Sequence, residues 1–258
     1  MCRLSIVIPC YNELNNIEKV VTKVRESKIS DKEIIIVDDY STDGTREILE
    51  SKICPLVSKI LYHEFNQGKG AALRTGFAHA TGDIVVIQDA DLEYDPAEYP
   101  NLIAPILSGE AEVVYGSRFL NGKAKGYFSN QIANKFLTSL SNFFTHYKLT
   151  DMETCYKTFK REIIQSINIE ENRFGFEPEI TAKLARNGVR IKEIPITYAP
   201  RLKENGKKIG FKDGLRAIFC ILKYSQTWGG VIVEVYLLVV EQASVKKIYL
   251  CVSLRKKL

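Results

Sequence analysis

Chemistry that depends on sulfur, imidazole or a membrane-spanning helix finds little to work with in this chain of 258 residues. The six cysteines, Cys2, Cys10, Cys54, Cys155, Cys220 and Cys251, contain no Cys-x-x-Cys pair. The three histidines, His63, His79 and His146, have no partner pattern and read as ordinary structural or surface residues. Zinc-finger spacing is thereby excluded, and the cysteines are expected to be small apolar fillers in a reducing cytosol. There is no low-complexity tract and no internal repeat, and 16 glycines and 8 prolines do not make long disordered linkers. No apolar run approaches the about 20 residues of a spanning helix, because the run from Val231 to Val240 is interrupted by Glu234. An apolar stretch follows Met1-Cys2-Arg3 directly, so no signal peptide is expected. The net charge of +5 is too small to argue for nucleic acid, but it suits anionic ligands such as diphosphates or an acidic membrane surface.

What is present is a globular balance, 45% hydrophobic and 26% charged, enough for one large α/β domain. Leu4 to Pro9, Glu33 to Val37, Val57 to Tyr62, Ile84 to Ile87, Glu112 to Tyr115 and Ile191 to Ile196 read as strands. Helices are predicted after Asn12-Glu13, after Gly44, from Gly70 to Ala80, from Pro96 to Leu107, from Gln131 to Tyr147 and from Phe211 to Tyr224. This alternation predicts a mostly parallel central sheet flanked by helices, with ligands bound beyond the carboxyl ends of the strands. The domain is expected to occupy residues 1–224, followed by a tail, 225–258, that reads as an extra strand pair, an oligomer contact or an unmatched terminus.

Three acidic clusters fall at those carboxyl ends: Asn12 and Glu13, Asp38 and Asp39, and Asp89, Asp91 and Glu93. Their mutual repulsion is unfavourable unless a cation or hydrogen-bond donors from a ligand lie between them. In Asp89-Ala90-Asp91-Leu92-Glu93 the carboxylates alternate, so an extended backbone points all three to one side. Hard oxygen ligands so placed suit Mg²⁺ or Mn²⁺ holding a substrate diphosphate. The bland alternative for Asn12, Glu13, Asp38 and Asp39 is turn and helix capping. A phosphoryl-accepting receiver domain also carries an acidic pair after a strand. That family places the pair after its first strand and has a Lys-Pro step, whereas here a strand–helix unit precedes the pair and Lys-Pro is absent.

Four segments in order carry a resemblance: Ser5-Ile6-Val7-Ile8-Pro9-Cys10-Tyr11-Asn12-Glu13, Ile36-Val37-Asp38-Asp39-Tyr40-Ser41-Thr42-Asp43-Gly44-Thr45, Asn66-Gln67-Gly68-Lys69-Gly70-Ala71-Ala72 and Gln88-Asp89-Ala90-Asp91-Leu92-Glu93. Together they resemble family 2 glycosyltransferases of the GT-A fold, a Rossmann-like α/β architecture. Within that family they are similar to the dolichyl- or polyprenyl-phosphate mannose or glucose synthase branch, over roughly residues 4 to 224. The resemblance implies an inverting hexosyltransferase that uses a UDP- or GDP-sugar. It places Pro9, Tyr11, Asn12, Glu13, Asp38, Asp39, Lys69, Asp89 and Ala90 around the nucleotide-sugar. Asp89, Asp91 and Glu93 match the metal motif, with Asp91 the surest ligand, and Arg118 of Gly116-Ser117-Arg118 becomes a phosphate or acceptor contact. Asp151 to Lys157 and Phe174 to Glu179 fall in the acceptor half, where Cys155-Tyr156-Lys157 departs from the usual Ser-Gly-Phe-Arg-like segment and leaves sugar and acceptor open.

The polysaccharide-synthase signatures of that family, Glu-Asp with Gln-x-x-Arg-Trp, are absent, and no base motif stands out. A lipid monophosphate, with a second pKa of about 6, needs no base. The acceptor expected is therefore a polyprenyl phosphate; a saccharide or protein hydroxyl, or a non-enzymatic nucleotide-binding role, are the alternatives. Asp151, Glu177 and Glu179 are the candidate bases if one is needed. Arg201, in the basic loop from Tyr198 to Gly210, is the choice for gripping acceptor phosphate. Phe211 to Tyr224 alternates Lys212, Arg216 and Lys223 with apolar residues, which suits either a membrane surface or packing on the domain. A cytoplasmic protein, peripheral on the membrane face, is the resulting expectation.

Overall fold

A computed structural model of the chain describes residues 2–120, 128–200, 211–225, 231–242 and 245–256. The strands are β1 (Leu4–Cys10), β2 (Lys32–Asp38), β3 (Lys59–Tyr62), β4 (Ile84–Ile87), β5 (Val113–Ser117), β6 (Lys157–Lys160) and β7 (Ile191–Pro195). They form one sheet in the order β3-β2-β1-β4-β6-β5-β7. Neighbours are parallel except at β6, which is antiparallel to both β4 and β5. The expected mostly parallel sheet is found. β1, β2 and β4 are almost wholly buried along their lengths, which is why they are near-continuous Ile and Val.

Helix α1 (Ile17–Glu26) buries Ile17, Val20, Val21 and Val24, one stripe at helical spacing, with Glu18 in its first turn and Lys23 and Arg25 in its last, as the macrodipole favours. α2 (Thr45–Ile48) continues as a π-helical turn, Leu49–Ile53. α3 (Lys69–His79) packs on β1 and β2. Its Gly76 touches Val7 so closely that any Cβ would overlap that side chain. α4 (Tyr99–Leu107) lies beside β5 and β6, α5 is Phe128–Thr145, α6 is Arg161–Ser166, α7 is Phe176–Arg186 and α8 is Phe211–Tyr224.

Strand β6 is absent from the sequence reading because Lys-Thr-Phe-Lys shows no apolar alternation. Lys157 is fully buried all the same, its ammonium donating to the carbonyl oxygens of Met152, at 2.8 Å, and Thr154. Two basic residues of α8, Arg216 and Lys223, pair with carboxylates of the protein. Arg216 grips Glu171 through Nε and Nη2, at 2.9 and 2.8 Å, and Lys223 reaches Glu170 at 3.2 Å, so both are turned to the protein. The tail contains two strands, β8 (Val231–Gln242) and β9 (Val245–Lys256), paired antiparallel in a separate sheet. Among the described residues no helix is long and apolar enough to cross a membrane.

Candidate active site

The carboxyl ends of β1, β2 and β4 are stitched together by short polar contacts. Asn12 has φ of +52°; its N–H donates to Ser41 Oγ at 2.9 Å and its Oδ1 accepts from the Thr42 N–H at 2.8 Å. The buried Glu13 anchors the start of α1, its carbonyl accepting from the Asn16 and Ile17 N–H groups and its Oε2 from Asn16 Nδ2. Pro9 ends the buried run of β1, and the Tyr11 ring is exposed beside it.

The two adjacent aspartates after β2 have different occupations. Asp39 is buried and already saturated: its carboxylate accepts from His63 Nδ1 at 2.7 Å, Asn66 Nδ2 and Gln67 N at 2.9 Å each, and Gly68 N at 2.6 Å. It therefore holds the loop before α3. Asp38 uses only Oδ2, accepting from Arg46 Nε at 2.6 Å and Ser41 N at 3.2 Å, and its buried Oδ1 has no partner. The Arg46 guanidinium carbon lies 5.4 Å from the ring centre of Tyr40 and 5.1 Å from that of Tyr62, both exposed rings. Both aspartates are almost wholly buried, Asp38 at 0% and Asp39 at 3% exposed.

The segment after β4 is a turn, not an extended strand. Leu92 has φ of +62°, and the Asp91 Oδ1 accepts from the N–H of Glu93 at 3.1 Å. The three carboxylates consequently do not converge, and among the described residues no group of three or more His, Cys, Asp or Glu is placed to hold a metal ion. Glu93 Oε2 accepts from the Tyr198 hydroxyl at 2.9 Å, and its carbonyl from Ala199 N at 2.9 Å, so Glu93 fastens the segment after β7. Asp89 and Asp91 remain, and two hard carboxylates fit a Mg²⁺- or Mn²⁺-type ion that takes its other ligands from substrate phosphate and water. Ala90 between them is buried.

Lys69, at the first position of α3, bridges Asp89 at 3.2 Å and Glu177 at 3.1 Å. Burial works against its charge, but Asp89, Cys155 and Glu177 outweigh that and hold its pKa well above the ordinary value. The ammonium is therefore a fixed cation between the acidic turn and α7. Gly68 and Gly70 flank it because side chains there would overlap the backbone of Asn172 and Glu171. Below the turn, the fully buried Gln88 accepts from the hydroxyls of both Tyr99 and Tyr156 at 2.7 Å through Oε1, and Nε2 donates to the Asp89 carbonyl at 3.0 Å.

The residues that run into β6 share this rim because β6 is reversed. Asp151 is fully buried and binds Arg118 bidentately, Nε and Nη2 each at 2.7 Å, while also accepting from Arg118 N and Asn134 Nδ2 at 3.0 Å. Arg118 is kept cationic: burial opposes its charge, and Tyr94 and Asp151 reverse the balance. Its guanidinium carbon lies 5.2 Å from the Tyr198 ring centre. Glu179 is likewise occupied, accepting from the N–H groups of Glu170 and Glu171 at 2.7 and 2.8 Å and from Lys183 at 2.6 Å. Asp151 and Glu179 thus have their oxygens occupied by protein donors, and Glu177 is tied to Lys69. Arg201 lies outside the described residues. Gln88, Tyr198 and Glu153 were missed from the sequence; only the adjacency of Gln88 and Glu153 to motif residues could have signalled two of them.

A glycosyl transferase family 2 model matches residues 5–167. The chain is 28% identical over 217 residues to the undecaprenyl-phosphate mannosyltransferase of Micrococcus luteus, covering 81% of this chain and 88% of the relative. It is 26% identical over 230 residues to the dolichol-phosphate mannosyltransferase of Pyrococcus furiosus, covering 86% of this chain but 64%, less than two thirds, of that relative. The glucosyl-3-phosphoglycerate synthase of Mycobacterium tuberculosis, solved with Mn²⁺, UDP and glucosyl-3-phosphoglycerate, superposes with a TM-score of 0.68 at 20% identity, over 92% of this chain and 85% of that one. A reversed strand inside a parallel sheet, an acidic turn after its central strand and a family match over more than half the sequence converge, and the chain belongs to glycosyl transferase family 2.

Proposed function

We propose that the protein transfers a hexose from a UDP- or GDP-sugar to a polyprenyl phosphate, with inversion at C1, and that residues 1–224 form the catalytic unit. The observation that supports this reading is the occupancy of two of the three candidate bases. Asp151 and Glu179 have their oxygens filled by protein donors, and Glu177 neutralises Lys69. A hydroxyl nucleophile requires a base within reach, whereas a phosphate arrives already ionised. The names of the two mannosyltransferase relatives support the same acceptor class.

On the donor side, Asp38 accepts from the base or ribose, and Tyr11, Asn12 and Glu13 shape the pocket floor. Asp91, assisted by Asp89, would hold Mg²⁺ or Mn²⁺, which when bound neutralises charge on the departing nucleoside diphosphate. The same service comes permanently from Lys69, whose cation stands at a helix N-terminus beside the acidic turn. Arg118, stacked on Tyr198, faces the acceptor as a positioned cation. A cytoplasmic enzyme that meets its lipid acceptor at the membrane surface follows from this assignment. Incubation with radiolabelled UDP- or GDP-sugar, Mn²⁺ or Mg²⁺ and a short polyprenyl phosphate tests it. Label should enter the organic phase; label found only as free sugar or on a saccharide overturns the proposal.

A further inference from the structure

One carboxyl on the rim is used by nothing described above. Glu153 lies in the loop entering β6, between Asp151 and the Thr154 hydroxyl that donates to the Gly116 carbonyl at 2.6 Å. The residue is half-buried, and its Oε1 is buried with no hydrogen-bond partner. The charged groups that face it are Glu177 from α7, Lys157 from β6, Arg118 after β5 and Asp151 from its own loop.

Among the described residues, the cations near it are committed elsewhere. Lys157 donates to the Met152 and Thr154 carbonyls, Arg118 gives both forks to Asp151, and Lys69 is shared by Asp89 and Glu177. Glu177 is only 5% exposed, and its Oε2 is buried without a partner. A second, unpaired carboxylate beside it would be costly, so the neutral acid is the favoured form of Glu153. Burial and then Glu177 push the Glu153 carboxyl up to about 8, against the opposing pull of Lys157 and Arg118. A carboxylic acid kept neutral near pH 7 is a hydrogen-bond donor, whereas every ionised acid on this rim can only accept.

We propose that Glu153 binds the acceptor's phosphate, presenting its carboxyl O–H to a phosphoryl oxygen at the mouth of the site. The inference rests on the phosphate-acceptor reading and deepens it. Another oxygen of the same phosphate attacks the sugar C1, the bond from C1 to the diphosphate oxygen breaks, and the electron pair leaves with the nucleoside diphosphate. The Glu153 proton is neither gained nor lost in that step. Above the titration of Glu153 the donor becomes an anion that repels the acceptor, so kcat/KM for acceptor falls on the alkaline side.

The test is transfer kinetics of the full chain against polyprenyl phosphate and, separately, 3-phosphoglycerate, across pH 6 to 9. Glu153→Ala should raise the acceptor KM roughly ten- to hundredfold, the scale of a hydrogen bond to a charged group, with kcat much less affected. Glu153→Gln, which donates at every pH, should recover most of that loss and flatten the alkaline limb. Infrared difference spectra should show a protonated-carboxyl band at pH 7 that Glu153→Gln removes, and a thermal shift with donor reports whether each variant is folded. Organic-phase product supports a lipid phosphate; product in the aqueous phase alone, where 3-phosphoglycerate offers a hydroxyl nucleophile, overturns the acceptor reading. An acceptor KM unmoved in Glu153→Ala, or a Gln variant as inactive as the Ala variant together with a wild-type rate that falls toward acid pH, overturns the inference and makes Glu153 a bystander or a base. Absence of wild-type transfer to either phosphate overturns the acceptor reading itself, and the inference with it.

Discussion

Asp91 and Asp39 are the same amino acid at the same edge of the sheet, and the hydrogen bonds each already makes separate their roles. Asp39 has four donors on its carboxylate, so Asp39→Asn replaces an acceptor by an amide that faces N–H groups. The expected result is a loss of about 1–3 kcal/mol of stability, read from the urea midpoint, together with weaker donor binding because the loop before α3 loosens. Asp91→Asn should leave the midpoint nearly unchanged and lower turnover by on the order of 100-fold or more, with metal-dependent donor binding lost in calorimetry. Wild-type turnover in that variant would remove Asp91 from the metal site. Sequence order alone made all the rim acids look alike. What distinguishes them is the identity of donors 24 to 29 positions away, as for His63 and Gly68 around Asp39, and no local pattern encodes that.

At the scale of elements, the strands with apolar runs and the helices with a clear stripe were legible, because burial on both faces of β1, β2 and β4 demands Ile and Val. β6 was not, since its buried Lys157 is satisfied by backbone carbonyls and its buried Thr158 breaks the expected pattern. The alternating carboxylates after β4 misled for a related reason. Alternation implies one face only if the backbone stays extended, and the left-handed Leu92 turns the chain before Glu93. Glu93 instead meets Tyr198, and Tyr198→Phe should cut this link between the acidic turn and the segment after β7. Acceptor KM is expected to rise several-fold while donor affinity stays put, a split that steady-state kinetics with each substrate varied would reveal. On α3, Gly76→Ala should cost about 1–3 kcal/mol through overlap with Val7, measurable as a lower urea midpoint with an unchanged slope.

The whole molecule couples its rim to pH. The folded Glu153 carboxyl titrates at about 8, above its ordinary value of 4.5, so between those values the native state binds more protons than the unfolded one. Stability from this group therefore falls as pH rises through that window, and Glu153→Gln removes the slope. Denaturation midpoints at pH 5 and pH 8 should differ less in the variant than in the wild type; an identical difference would show that the group does not titrate there.

The reversal of β6 also divides the rim into two separately built halves. A strand that enters the sheet against the grain brings a whole loop, Asp151 to Tyr156, to the rim without altering β1, β2 or β4. That loop therefore reaches the rim as a unit of its own, and its residues can change without disturbing the register of β1, β2 and β4.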